Sequence, residues 1–176
     1  MTEILLAGFG GQGVLFAGKF LCCAGLLEGK EVSWLPSYGP EMRGGTCHCS
    51  VIISDDTIGS PVVREPDILV TFNPPSFNRF ESKVKPGGIL LAENNKLEEK
   101  SNRTDIKTFY VPAAQMASDE DMLGLGNMIL LGKLLAEKAL FKPETIAEAM
   151  RKAVPERKAD AMMEKNLKAI AIGEKL

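Results

Sequence analysis

The first 29 residues constrain the fold most, because they predict a buried strand, a glycine turn and a long helix. Residues Ile4–Ala7 form a continuous apolar run, which is typical of a strand covered on both faces. The segment Val14–Glu28 is rich in Ala and Leu and contains no Pro, so it predicts a helix. Gly29 stands where the C-terminal cap of that helix is expected. Such a beginning is typical of an α/β protein.

The rest of the chain continues the alternation of strands and helices. Further strands are predicted at 31–35, 46–54, 67–72, 89–92 and 108–111, and helices at 76–84, 122–140, 144–154 and 158–172. This order predicts one α/β domain over residues 1–176, with three layers, a mostly parallel sheet, a Rossmann-like first βα unit and C-terminal helices. Strands 31–35 and 46–54 lie close in sequence, so an antiparallel pairing between them would make the sheet mixed.

Composition excludes several classes of protein. The net charge of −2 gives no sign of a nucleic-acid-binding face or of an anchor to an anionic membrane. Neither a signal peptide nor an apolar run of about 18 residues is present, so a cytoplasmic location with reduced thiols is expected. The cysteines form a CC pair (Cys22, Cys23) and a CxC pair (Cys47, Cys49), neither of which has zinc or cluster spacing. A role in the core is therefore favoured, and no metal site is predicted.

The glycine turn has the spacing G-x-G-x-x-G, formed by Gly8, Gly10 and Gly13 between a strand and a helix. The N-terminus of the helix offers unpaired N–H groups that favour an anion. A dinucleotide site also requires an acid about 20 residues on, at the end of the second strand. That strand ends in Leu35-Pro36-Ser37, without an acid. Three interpretations stay open: a dinucleotide enzyme, a tight turn only, and a site for phosphate or for the backbone of another chain.

A second motif, WLPSYGPEMRGGTCHC, occupies Trp34–Cys49. Its Pro and Gly residues are typical of a connecting loop. That reading leaves the aromatic residues and Arg43 unexplained, and these are residue types enriched at interfaces. Ser37, Tyr38 and Arg43 also carry groups that bind carboxylate or phosphate oxygens. An interaction loop is favoured. The single histidine, His48, has no paired Ser or Cys nucleophile in a strained elbow, so no triad and no catalytic residue are predicted.

These motifs carry a family resemblance that covers almost the whole chain. GFGGQGV, PSYGPEMRGG, IGSP…PDILVTFN and KPGGILL, followed by Asn127 and Gly132, resemble the γ subunit of 2-oxoacid:ferredoxin oxidoreductases. The amino-acid sequence of the second motif is most similar to that of the 2-ketoisovalerate and 2-oxoglutarate branch, although pyruvate enzymes have a similar domain. The resemblance implies an assembly that oxidatively decarboxylates a 2-oxoacid to an acyl-CoA and passes electrons to ferredoxin.

The resemblance also implies how the cofactors and partners are distributed. Thiamine diphosphate with Mg²⁺ and the [4Fe–4S] clusters are expected on partner subunits, α and β with δ as a further candidate, and this chain is expected to be inactive alone. The residues that match the family motifs are expected at an interface or on the coenzyme A side. The cofactor-binding candidates are Gly8, Gly10, Gly11, Gln12, Gly13, Ser37, Tyr38, Gly39, Arg43 and Gly44, and Pro40, Glu41 and Gly45 share the second motif. The alternative is a stand-alone Rossmann-like module that binds a nucleotide or coenzyme A.

Overall fold

The computed structural model describes residues 1–39, 45–155 and 159–176, which form six strands and six α-helices. The strands are β1 (Thr2–Phe9), β2 (Glu31–Tyr38), β3 (Thr46–Ser54), β4 (Ile68–Thr71), β5 (Ile89–Glu93) and β6 (Lys107–Val111). The helices are α1 (Val14–Leu27), α2 (Pro74–Phe80), α3 (Ala113–Asp119), α4 (Gly126–Glu137), α5 (Pro143–Ala153) and α6 (Ala159–Gly173). A 3-10 turn, Glu81–Lys83, follows α2 directly.

The strands form a six-stranded sheet in the order β2-β3-β1-β4-β5-β6. The pairs β1–β4, β4–β5 and β5–β6 are parallel, whereas β3 is antiparallel to both β1 and β2. The predicted fold class is confirmed, since the sheet is mostly parallel and the two early strands make it mixed. The antiparallel β3 lies between β1 and β2, so α1 connects two strands that are not neighbours.

The sheet has one thickly covered face and one thinly covered face. Helices α1 and α4 pack on the first face, where Leu6 and Val70 point into the larger part of the core. The short α2 packs on the second face, where Phe77 contacts the layer that contains Leu5 and Leu69. Leu5 and Leu6 point to opposite faces because side chains alternate along a strand. Helix α2 is short, so the half of this second face formed by β2 and β3 is left thinly covered.

The second strand is longer than the sequence predicted. It was expected to end at Leu35, but β2 continues to Tyr38 and pairs with β3 along its whole length. Pro36 is tolerated because β2 is an edge strand. The Gly39 N–H donates to the Thr46 carbonyl of β3 at 2.8 Å. Only every second residue of an antiparallel strand directs its N–H to the partner strand, and position 36 is three residues from Gly39. The nitrogen of Pro36 therefore faces the open edge, where no ladder bond is lost.

The prediction of a helix at 122–140 was wrong about the residue at which the helix begins. Helix α4 begins at Gly126, and a separate helix, α3, occupies Ala113–Asp119, where none was predicted. The chain between them turns at Asp121 and Gly124, whose φ angles of 54° and 87° are left-handed and end helical geometry. The apolar spacing of this segment hid the break, because both sides of it are buried against the same core.

Helix α2 begins two residues before its predicted start at Ser76. The side chain of Asn73 accepts a hydrogen bond from the Ser76 N–H at 2.9 Å, and Pro74 occupies the first helical position. Asn at the N-cap followed by Pro is a helix start signal. Among all the described residues, no helix is long and apolar enough to cross a membrane.

Helices α4 and α6 cross at Gly132 and Gly173, and this crossing gives a test of the fold. A methyl group on Gly132 would overlap the carbonyl oxygen of Ile170. We expect Gly132→Ala to lower the free energy of unfolding by about 2 kcal/mol, because overpacking forces the helices apart. Urea denaturation measures this. Gly59→Ala is the control, since nothing lies near its Cβ position. Equal stability of the two variants would contradict the described crossing.

Candidate functional site

The glycine turn lies at the carboxyl end of β1 and leads directly into α1. Gly8 is still in β1, and the Gln12 N–H donates to the Phe9 carbonyl at 3.1 Å to close the turn. Gly13 caps α1 with a φ angle of 75°, a left-handed conformation that favours glycine. The first turn of α1 contains no acidic side chain. The turn therefore presents backbone and the positive end of a helix rather than charged side chains.

The side chain of Gln12 joins this turn to the neighbouring strand. Its Oε1 atom accepts hydrogen bonds from the Phe9 N–H at 2.7 Å and from Asn73 Nδ2 at 2.8 Å. Its Nε2 atom donates to the Phe72 carbonyl at 2.8 Å. Asn73 in turn caps α2 through Ser76. Gln12 thus links the ends of β1 and β4 to the start of α2, and its amide holds the turn in shape.

Asn127, in the first turn of α4, lies against Gly13. Its Nδ2 atom donates to the Gly13 carbonyl at 3.2 Å, and a Cβ atom on Gly13 would lie 2.9 Å from the Asn127 Cγ atom. Only 5% of Asn127 is exposed, and its Oδ1 atom has no hydrogen-bond partner among the described residues. A buried oxygen without a partner costs free energy. This atom is therefore a candidate acceptor for a ligand N–H or O–H group.

The structure brings the two glycine-rich motifs together. The Gly10 N–H donates to the Gly45 carbonyl at 3.0 Å, and Phe9 pairs with Thr46 in the β1–β3 ladder. The second motif thus begins in β2 and returns to the turn at the start of β3.

The other predicted residues of the second motif fall in different places. Ser37 lies in β2 opposite His48, and Tyr38 lies beside it with 57% of its surface exposed. Gly39 closes the β2–β3 ladder through its bond to Thr46. Pro40, Glu41, Arg43 and Gly44 lie outside the described residues.

A cleft of about 260 Å³ opens beside the turn. Its lining includes Gly11, Gln12, Gly126 and Asn127, and also Glu93 at the end of β5. Ligands of open α/β sheets bind outside the carboxyl ends of the strands, which is where this cleft lies. The Glu93 carboxylate accepts hydrogen bonds from two backbone N–H groups, at 2.7 and 2.8 Å. Sequence reasoning missed Glu93, although an acid directly after a predicted parallel strand was the signal that pointed to it.

The sheet order bears on the dinucleotide interpretation. In a dinucleotide site the acid that holds the ribose follows the second strand, which the first helix connects to β1 and which pairs with β1 in parallel. In this sheet the antiparallel β3 lies between β1 and β2. The first residues of β3, Thr46 and Cys47, lie beside Phe9 and Gly8. Neither of these β3 residues is acidic. The turn therefore lacks the ribose contact both in sequence and in space.

The cysteines lie in or beside the core, as predicted. Cys22, Cys47 and Cys49 are buried, and Cys47 and Cys49 point to the same face of β3. Burial raises the pKa of the Cys22 and Cys49 thiols to about 12, so both are protonated at neutral pH. Within residues 1–39, 45–155 and 159–176, no group of three or more His, Cys, Asp or Glu side chains is placed to hold a metal ion.

The hydrogen bonds of Gln12 generate a stability prediction. We expect Gln12→Ala to lower the free energy of unfolding by about 1–3 kcal/mol, because it leaves the Phe9 N–H and the Phe72 carbonyl without their partner. Chemical denaturation measures the change. Gln115→Ala is the matched control, since that side chain is exposed and bonds only to Asp119 in its own helix. A Gln12 variant no less stable than the Gln115 variant would show that the side chain does not hold the turn.

Comparison with protein families gives a match over almost the whole chain. The model of the family described as pyruvate ferredoxin/flavodoxin oxidoreductase matches residues 3–176. The chain is 42% identical over 135 residues to ketoisovalerate oxidoreductase subunit VorA of Methanothermobacter marburgensis. That alignment covers 77% of this chain but only 28% of VorA. The chain is 35% identical to 2-oxoglutarate synthase subunit KorC of Methanocaldococcus jannaschii, over 97% of this chain and 91% of KorC.

Solved structures share the fold over the same length. The gamma subunit of the keto/oxoacid ferredoxin oxidoreductase of Geobacter sulfurreducens superposes with a TM-score of 0.82 and 28% identity, covering 99% of this chain and 97% of that chain. The 2-oxoglutarate:ferredoxin oxidoreductase of Magnetococcus marinus, with 2-oxoglutarate, coenzyme A and succinyl-CoA bound, superposes with a TM-score of 0.86 and 22% identity. The chain covers 30% of that protein, and this likeness is one of fold.

Proposed function

The chain belongs to the pyruvate ferredoxin/flavodoxin oxidoreductase family, and we propose that it is the γ-type subunit of a multisubunit 2-oxoacid:ferredoxin oxidoreductase. The complete enzyme would oxidatively decarboxylate a 2-oxoacid, form an acyl-CoA and transfer electrons to ferredoxin. The observation that carries this proposal is the family match over residues 3–176. The similarity to KorC, a subunit of a 2-oxoglutarate synthase, supports the same proposal.

In this proposal the redox chemistry takes place on partner chains in the cytoplasm. Thiamine diphosphate with Mg²⁺ and the [4Fe–4S] clusters belong to the α and β subunits, with δ as a further carrier of clusters. Iron–sulfur clusters are held by sets of cysteine thiolates, and in the part of the chain that the structure describes no three His, Cys, Asp or Glu side chains are grouped to hold a metal. The role of this chain is then to dock on those partners and to contribute to the side on which coenzyme A binds.

The docking surface we propose is the open edge of β2. Trp34 and Tyr38, which share one face of this strand, expose 40% and 57% of their surfaces. Aromatic side chains are enriched in the centres of protein interfaces. Pro36 faces the same edge and removes a donor, so a partner would contact side chains rather than extend the ladder.

The part of coenzyme A that we propose at the cleft is its amide-bearing arm. Asn127 Oδ1 and the Glu93 carboxylate are both acceptors, and a phosphate group beside Glu93 would be repelled. An amide N–H satisfies an acceptor of this kind, and an amide carbonyl accepts from the free N–H groups at the start of α1. A neutral amide chain therefore suits this cleft better than a phosphate.

Docking gives the first test of the function. We expect Tyr38→Ser and Tyr38→Ala each to weaken binding to the purified α and β partners about tenfold or more, because truncating a central interface residue costs about 1–2 kcal/mol. Leu26→Ser is the control, since Leu26 is an exposed apolar residue on α1. Surface plasmon resonance measures the affinity, and circular dichroism checks the fold. Affinities equal to that of the control would place the interface elsewhere.

The enzyme assay accompanies this test. Ferredoxin reduction should require both this chain and its partners, with pyruvate, 2-oxoglutarate and 2-ketoisovalerate as the substrate panel. Full activity of the chain alone would overturn the subunit proposal.

Coenzyme A binding tests the cleft separately. We expect calorimetric titration of the complex with coenzyme A to show binding that Asn127→Ala weakens about tenfold, because the buried acceptor is lost. Asn166→Ala is the matched control, since Asn166 is also buried with an unpartnered Oδ1 atom but lies on α6. Binding that both variants leave unchanged would exclude the cleft as the coenzyme A side. Binding to the isolated chain together with no affinity for partners would instead favour a stand-alone module.

A further inference from the structure

A groove of about 630 Å³ lies on the thinly covered face of the sheet, where α2 does not reach β2 and β3. Its floor is formed by strand residues of β1, β2 and β3, which include Ser37, His48 and Ser50. One wall is α2 with the 3-10 turn that follows it, and the other is the segment 62–65. The groove shares no lining residue with the cleft at the glycine turn. It is therefore a separate feature of the molecule.

The walls of the groove carry three cations. Arg64 stands on one side, and Arg79 and Lys83 stand on the other. Arg79 and Lys83 both lie 5.2 Å from the centre of the Phe80 ring, which holds them at the rim. In the part of the chain that the structure describes, none of the three forms an ion pair, whereas other cations such as Lys85 do. These three charges are available to a ligand.

The charge of the groove is opposite to that of the whole chain. Three cations and the single carboxylate of Glu65 leave the lining with a net charge of +2, whereas the chain carries −2. A phosphate group carries close to two negative charges at neutral pH and three acceptor oxygens, which suits cations placed on two different walls. The exposed apolar residues Leu35 and Val62 line the same space and offer a surface to the organic part of such a molecule.

We propose that this groove is a second binding site, which takes a small organic phosphate. Its phosphate oxygens bind Arg64, Arg79 and Lys83, and its apolar part lies on Leu35 and Val62. The groove has the volume of ordinary small-molecule sites. This site goes beyond the function proposed above, since neither docking through the β2 edge nor the cleft at the glycine turn requires it.

His48 provides a direct probe of the groove, because it is the only histidine of the chain. Its ring lies 5.4 Å from the Phe80 ring on the groove floor. Burial and the positive charges of Arg79 and Lys83 hold the pKa of His48 below its ordinary value. An anion that neutralises those charges raises this pKa, and so does removal of either cation.

The experiment is an NMR titration of the His48 imidazole in the full chain at constant ionic strength. The probes are inorganic pyrophosphate, ADP and succinate, which separate phosphate from carboxylate and the bare anion from an organic phosphate. We expect ADP and pyrophosphate to bind below about 1 mM and to raise the pKa of His48. Arg79→Gln and Arg64→Gln should each weaken ADP binding about threefold to fivefold, as expected for exposed charge pairs. Lys175→Gln is the control, since Lys175 is exposed near the end of the chain.

Three results would overturn the proposal. The first is no response of His48 to either phosphate at 10-fold this concentration, roughly 10 mM. The second is binding that the two arginine variants leave as strong as in the Lys175 control. The third is tighter binding of succinate than of pyrophosphate, which would assign the groove to carboxylates. Because the titration uses the isolated chain, its outcome does not depend on docking or on coenzyme A binding to the complex.

Discussion

The three hydrogen bonds of the Gln12 side chain are the interaction on which the rest of the site depends. They bind the carboxyl end of β1 to the Phe72 carbonyl and to the Asn73 side chain, and so fix the start of both α1 and α2. Asn127 can lie against Gly13 only because the turn is held in place and because position 13 has no side chain. Gln12 thus fixes the part of the cleft that is lined by Gly11 and Phe72.

This arrangement separates three surfaces of one small chain. The cleft lies outside the carboxyl ends of the parallel strands. The exposed aromatic residues Trp34 and Tyr38 lie on the edge strand β2, and the groove lined by Arg64, Arg79 and Lys83 lies on the thinly covered face. The antiparallel β3 connects them, because it pairs with β1 beside the turn and with β2 at the edge. Because β3 lies between β1 and β2, the strand that follows α1 is not a neighbour of β1, as it is in a dinucleotide site.

Much of the fold could be predicted from the sequence, because the signals were local. The apolar run in β1, the alternating residues of β3 and the glycine turn each depend on nearby residues. The errors arose where the structure depends on contacts between distant residues. The extension of β2 through Pro36 requires knowing that β2 lies at an edge. The break before α4 requires knowing that Asp121 adopts a left-handed conformation.

The candidate site shows the same limit. Gln12 and Gly13 were predicted as site residues from the first glycine motif, whereas Asn127 was noted only as part of the family resemblance and was missed as a site residue. Their mutual contacts and the unpartnered oxygen of Asn127 could not be predicted, because they join residues that are 114 positions apart in sequence. Glu93 was missed because its place in the cleft depends on the order of the strands.

The central claim is that the β2 edge and the glycine turn face other components of an enzyme complex. Hydrogen–deuterium exchange of the chain alone and in the complex tests it most directly. We predict slower exchange on assembly in β2 (Glu31–Tyr38), and slower exchange in residues 8–13 when coenzyme A is added. The strand β6 (Lys107–Val111), at the opposite edge of the sheet, should not change. Protection at β6 with none at β2 or the turn would contradict the account.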